Sequence, residues 1–451
     1  MTKDILSTLA PMISIAQKEG ADDVELFGQL YQDREVNIES NSLKTSISGI
    51  QEGVGIRVII NKSVGFTAVN SLARDRILDG IRDAISIAKV TPPQDYHEFP
   101  ESEETRPVKN LYDEKIVSSD IGTITEYAAE LLETMQGIDK RLTFNSGSFL
   151  SRIERRAIVS SKGIEANERK TGINWRVFGW AIDGDDIGSF EYESDAVTSL
   201  KDLDISKGIE NFAAKALANL GAVKTEAFKG PAIFTPEAVS DLLTIVCYAA
   251  TGTSIQAGNS YLQDKIGESV AIEDFSLIDN GTLPGGIFSR SFDREGVPSQ
   301  LLRIVDSGVF KGVLHSAFTS KKVGLSSTGN ASGGFRVSPS ISGTNLEVQP
   351  GNMTLDEMIH EVRHGVYIQR ISAAPDYTTG NFSGVVKGGR LIKDGEIRST
   401  LKEITAVGNI FDSLKAISGM TKERKHLRDM SARLGVWLVP FIKVENIDFA
   451  T

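Results

Sequence analysis

The chain has 451 residues, 40% of them hydrophobic and 24% charged, with 49 basic against 60 acidic residues and a formal net charge of −11. That length supports two or three domains with a substantial core, and that charge balance excludes a broad phosphate-binding face, so no nucleic-acid partner is expected. The single cysteine, Cys247, excludes intrachain disulfides; in the apolar run TIVCYAA it reads as a small buried hydrophobe.

The first element is an amphipathic helix with Ile5, Leu9, Met12, Ile13 and Ala16 on one side and Gly20 as its C-cap. Charges interrupt its apolar positions, so it is not read as a signal peptide. No later window approaches the roughly 18 uninterrupted apolar residues of a membrane span, and no membrane partner is expected; the expected location is the cytoplasm. Alternating runs follow (VELFGQLYQ, EVNIESN, LKTSISG, GIRVIIN, SVGFTAVN) and predict antiparallel strands, with Asn61-Lys62 as a tight turn. A helix over 73–90 aligns Ile77, Ile81, Ala84, Ile85 and Ala88, and the proline-rich acidic stretch 91–110 reads as an exposed linker. The pattern then recurs. A helix over 118–137 precedes strands over 141–161, 169–183 and 186–197, and a helix over 206–220 closes the block. Asp183 to Asp186 reads as a hairpin turn rather than a calcium loop, and 327–334 lacks the lysine of a phosphate loop. From Gly230 the chain starts as a strand, continues as an apolar helix and then becomes rich in glycine and short strands, with further helices expected at 354–364 and around 409–417. The predicted class is α+β: two helix–strands–helix units, 1–110 with the linker and 111–228, followed by a β-rich C-terminal domain, 229–451.

One stretch invites a metal reading. His360, Glu361 and His364 have the spacing H-E-x-x-H, which on a helix puts two imidazoles on one face with a glutamate beside them. Against it, Thr354 and Glu357 form a capping box, Gly365 ends the helix at once, and the apolar stripe of Leu355, Met358, Ile359 and Val362 leaves both histidines on the solvated side. None of His97, His315 and His426 continues the motif as a third ligand. A surface helix is the expected reading.

Four segments, FDREGVPSQLLRIVDSGVFKGVLHSAFTSKKVGLSSTGNA (292–331), TTGNFSGVVKGGRLIKDGEI (378–397), ITAVGNIFDSLKAISGM (404–420) and EGVGIRVIINKSVGFTAVN (52–70), resemble the TldD/PmbA family in order and spacing along essentially the whole chain. The resemblance implies an N-terminal α/β portion, a β-rich C-terminal domain and a dimer. It also implies that TldD-type members carry zinc on an H-E-x-x-x-H helix completed by a cysteine near the C-terminus. Here the matching helix is FTPEAVSDLLTIV (234–246), with Thr235 and Ser240 at the histidine positions and Pro236 at the glutamate position. A slip of one residue puts Glu237 under that glutamate, and 434–451 contains no thiol. Hydroxyls and proline cannot replace imidazole and thiolate. The pattern resembles the PmbA (TldE) branch, so zinc is expected only in a TldD-type partner. The expected function is the metal-free subunit of a heterodimeric metallopeptidase acting on unstructured peptides. Two alternatives stand beside it: an active zinc peptidase using His360, Glu361 and His364, and a non-enzymatic peptide-binding homodimer. The family has also been described as modulating DNA gyrase, but a net charge of −11 predicts no direct DNA contact. Around Asp293, Glu295 and Gly296, and around Thr379, Gly380, Asn381 and Phe382, the glycine-marked segments are expected either to form a peptide groove or to be plain turns.

Overall fold

The computed structural model describes residues 4–432 and 434–451. Helix α1 (Ile5–Lys18) is capped by Asp4, whose carboxylate accepts from the amides of Leu6 and Ser7, and it buries Ile5, Leu9, Met12 and Ala16, with Ile13 at the edge of the stripe. Gly20 takes φ +108°, the left-handed conformation that a C-cap needs. Strands β1 (Asp23–Glu39), β2 (Ser42–Ile60) and β3 (Ser63–Val69) follow as a meander. Asn61 and Lys62 turn between β2 and β3 with φ of 47° and 66°, the primed geometry that suits strand twist. Helix α2 (Arg74–Val90) buries all five predicted apolar positions. It lies so close on β3 that a Cβ at Gly65 would stand 1.9 Å from the Ala84 carbonyl oxygen.

The second unit comprises α3 (Glu114–Ser118), α4 (Ile121–Ile138), β4 (Leu142–Ser160), β5 (Glu165–Asp183), β6 (Asp186–Ile187), β7 (Glu191–Val197) and α5 (Ile205–Leu217). The two units share one sheet rather than stacking as two. Strand β1 pairs antiparallel with β2 on one side and with β4 on the other, giving the order β3-β2-β1-β4-β5, with β6 and β7 on the outer edge of β5. Asp183 and Asp186 pair across a hairpin whose Gly184 has φ +62°. Trp175 is fully buried, its ring beneath Gly208 of α5, while Trp180 stays partly exposed.

The C-terminal region is built on a 13-stranded mixed sheet. Strand β8 (Phe228–Phe234) lies inside it, antiparallel to Val436–Ala450 and parallel to His364–Ile368. Helix α6 (Pro236–Ala249) packs on this sheet through Leu242, Leu243, Ile245 and Val246, and Cys247 is buried as expected. Later helices are short, Leu355–His360 and Ile410–Lys415, joined by Gly252–Gln256 and Ala317–Lys321, which the sequence pattern missed.

The stretch 91–110 is mostly exposed but is not a free linker. Phe99 is buried with the Arg57 guanidinium 5.0 Å above its ring, His97 packs on Phe318, and Glu98 pairs with Lys321, so aromatic anchoring ties this stretch to both regions. Beneath it the junction is ionic. Glu25 of β1 accepts from Arg57 of β2 and from Arg294, and Arg57 also bonds Glu295 at 2.9 Å.

Candidate functional site

The first turns of α6 border a cavity of about 630 Å³. Thr235 caps the helix, accepting from the Ala238 amide at 3.4 Å and donating to the Gln369 carbonyl at 2.6 Å. Pro236 follows at the first helical position, where its missing N–H is no loss. Glu237 then faces two lysines. Lys215 of α5 reaches its Oε1 at 2.7 Å and Lys425, on the strand Ile417–Leu427, reaches it at 2.9 Å. The same ammoniums bond Glu193 of β7 at 2.5 and 2.9 Å, so two cations and two carboxylates close on each other. Burial opposes ionisation of Glu237, but Lys215 and Lys425 outweigh it and hold the carboxyl down at about 2. The Lys215 ammonium is pushed well up: burial works against it, and the two glutamates prevail.

One helical turn on, Asp241 meets the opposite outcome. Burial dominates and raises its carboxyl to about 7; the Ile371 amide and Arg370 pull it down, and Glu237 adds to the rise. Tyr192, Tyr248, Tyr377 and Trp437 complete the walls, with the Tyr248 and Tyr377 rings 4.8 Å apart. A second cavity of about 690 Å³ shares Tyr192, Glu193, Ser194 and Asp429 with the first and continues toward Lys44 and Arg176. Tyr192, Glu193 and Ser194 all lie on β7, which pairs only with β5 among the described strands.

Of the residues singled out from sequence, Glu237 and Ser240 line this cavity, and Ser240 Oγ donates to the Glu237 carbonyl at 2.8 Å. Asp293, Glu295 and Gly296 lie elsewhere, at the domain junction. Asp293 accepts from the amides of Glu295, Val297 and Ala331, Glu295 accepts from Arg57 and from the Ala317 amide, and Gly296 supplies φ +83°. Burial, reinforced by Glu295, raises the Asp293 carboxyl to about 7. Thr379 and Gly380 belong to a turn closed by Asp376; Asn381 bonds Asn409; Phe382 is core. None of these seven residues lines the cavity, although the neighbouring Tyr377 does. Asp241, Tyr192, Lys215 and Lys425 went unseen in the sequence. The signal available for one of them was Glu237 and Asp241 at a spacing of four on one helix.

The H-E-x-x-H spacing does not survive folding. The helix expected to reach about His364 stops at His360, Glu361 is its C-cap, and His364 opens the strand His364–Ile368. Pairing of Val366 with Ala232 of β8 claims the chain for the sheet at that point. The His364 ring packs on Phe228, 4.3 Å away, and Glu361 is ion-paired with Lys443. Zinc content, measured by elemental analysis after loading and removal of weakly held metal, is therefore expected to be the same in wild type and His360→Ala/His364→Ala. One zinc per wild-type chain that is lost in the double variant would overturn this.

Residues 228–451 match the family profile described as PmbA/TldA metallopeptidase C-terminal domain, and residues 24–88 match PmbA/TldA metallopeptidase domain 1. This chain belongs to the PmbA/TldD family. An uncharacterised protein of Methanocaldococcus jannaschii is 28% identical over 90% of this chain and 93% of its own length. A Haemophilus influenzae protein named metalloprotease PmbA homolog is 25% identical over 83% of this chain and 81% of its own. The fold is that of the crystal structure of TldE from Thermococcus kodakarensis, with a TM-score of 0.91 at 22% identity, covering 98% of this chain and 100% of that one.

In a family whose profiles are described as metallopeptidase domains, the question is whether α6 suits zinc. The donors present do not. The Glu237 carboxylate already carries two ammonium groups, the Thr235 hydroxyl is engaged at the cap, and Pro236 has no donor atom. Among the described residues, no group of three or more His, Cys, Asp or Glu side chains is placed to hold a metal ion.

Proposed function

We propose that this chain is a non-catalytic subunit that pairs with a TldD-type chain to form a heterodimeric metallopeptidase acting on unstructured peptides. The observation that carries this reading is the pair of ammoniums on Glu237. Lys215 and Lys425 bring two positive charges to the helix that the resemblance assigns to zinc, and Glu193 and Glu237 balance them. These four groups thereby balance one another. The edge position of β7 supports a peptide role. An extended chain can add to such an edge through main-chain hydrogen bonds, which do not depend on sequence, and Tyr192, Glu193 and Ser194 put that edge beside both cavities.

The test is mixing. The purified chain alone should leave an unstructured peptide intact. With a TldD-type chain it should co-elute as a complex and raise cleavage above that of the TldD-type chain alone. Chelator-sensitive cleavage by this chain on its own, or no complex with any TldD-type chain of the same cell, would sink the proposal.

A further inference from the structure

Among the described residues, the charges around the α6 cavity do not balance. Glu193, Glu237, Asp241 and Asp429 line it. The first two are neutralised by Lys215 and Lys425. Arg428 is taken by Asp195 through bonds of 2.7 and 2.9 Å. The guanidinium of Arg370 is held by Glu191 at 3.1 Å and by the Phe190 carbonyl at 2.5 Å, and it stacks on Phe190 and Tyr192. Asp429 is turned to the Ser431 amide and hydroxyl, at 2.7 Å each. Asp241 remains. Among the described residues it has no ion-pair partner and its carboxylate is served by the Ile371 amide alone. A partly buried carboxylate without a cation is costly, and a ligand that supplies one recovers that cost.

The surroundings narrow the ligand. Every described lysine and arginine at the wall is already engaged, which disfavours an anion. A hard divalent cation wants six or more oxygen ligands, and one free carboxylate falls short. Tyr192, Tyr248 and Tyr377 remain 40%, 40% and 38% exposed beside Asp241, and tyrosine faces attract organic cations. We infer that the cavity binds an alkylammonium group of an extended peptide, a lysine side chain or a free N-terminus, on Asp241 among these three tyrosines. This deepens the peptide-holding role proposed above and relies on it for the ligand being a peptide.

The experiment is a calorimetric titration of the full chain alone, at pH 8, where Asp241 is ionised. Three disordered alanine-based heptapeptides are compared: a capped peptide with a central lysine, the same peptide with Nε-acetyllysine, and a lysine-free peptide with a free N-terminus. At least one of the two amine-bearing peptides should bind about tenfold tighter than the acetyllysine peptide, equivalent to about 1.4 kcal/mol. Which one does so identifies the source of the ammonium. Asp241→Asn should erase the preference. Equal binding of all three, no binding of any, or a preference that survives Asp241→Asn would overturn the inference. The comparison within wild type stands whether or not the variant folds. Because no partner chain is present, failure to form a heterodimer leaves this result readable on its own.

Discussion

Glu25→Gln is expected to lower the unfolding free energy by about 3–5 kcal/mol, the range for removing one partner of a buried ion pair. The junction between the seven-stranded sheet and the loop at Asp293 to Val297 holds Glu25, Arg57, Arg294 and Glu295, two charges of each sign. Glu25 and Arg294 have side chains 1% exposed. Burial pushes the Glu25 carboxyl up, and Arg57 and Arg294 together overcome it, leaving it below the usual carboxylate range. Arg57 keeps Glu295 when Glu25 is neutralised, but Arg294 loses its only ion-pair partner among the described residues. Among the described residues its Nε and Nη2 lack hydrogen-bond partners, and its remaining support is the Phe27 ring at 4.1 Å and the more distant charge of Glu295. The double variant Glu25→Gln/Arg294→Met should therefore recover much of the loss, because the uncompensated charge leaves with its partner. Urea unfolding of the two single variants and the double variant checks this. A single-variant cost below about 1 kcal/mol would show that the junction is hydrated and that its charges are weakly coupled.

Much of the fold was legible because it depends on local period. The stripes of α1 and α2, the Asn61-Lys62 turn, the Asp183 to Asp186 hairpin and the strand-then-helix at 228–249 each follow from spacing within a few residues. The joining of the two N-terminal units was not legible. Pairing of Asp33 with Arg152 spans more than a hundred residues and has no local signature. The same limit applied to the site. The α6 positions were found by resemblance, but what they do depends on Lys215, Lys425 and Glu193, which come from three other elements. His360 and His364 show the converse error. A helical spacing on paper became a helix end and a strand start, because pairing with β8 outranked a helix of barely two turns.

Lys215→Met is expected to destabilise the chain by about 3–5 kcal/mol at pH 7, with an effect that shrinks as the pH falls. Lys215 is 13% exposed and bonds Glu193 and Glu237 at once; Lys425 bonds the same pair but is 29% exposed. Without Lys215, two carboxylates share one ammonium, and one negative charge stays buried and uncompensated. Lys425→Met leaves the same imbalance at a wetter position and should cost less. The sign of the pH dependence follows from Glu237. Its folded-state value, about 2, lies below the ordinary 4.5. The stabilisation it brings is thus fully present above about pH 4.5 and fades as the pH falls toward 2. In Lys215→Met the surplus carboxylate takes up a proton at higher pH, so the variant loses less on acidification than wild type does, and the two unfolding curves converge below about pH 4. Adding Glu237→Gln to Lys215→Met leaves Glu193 with Lys425, one charge of each sign, and should restore part of the stability at pH 7. Chemical denaturation at pH 7 and pH 4 reads all three expectations. If Lys215→Met and Lys425→Met cost the same at both pH values, the four groups act as separate surface pairs. The two ammoniums would then be no substitute for a cation at the head of α6.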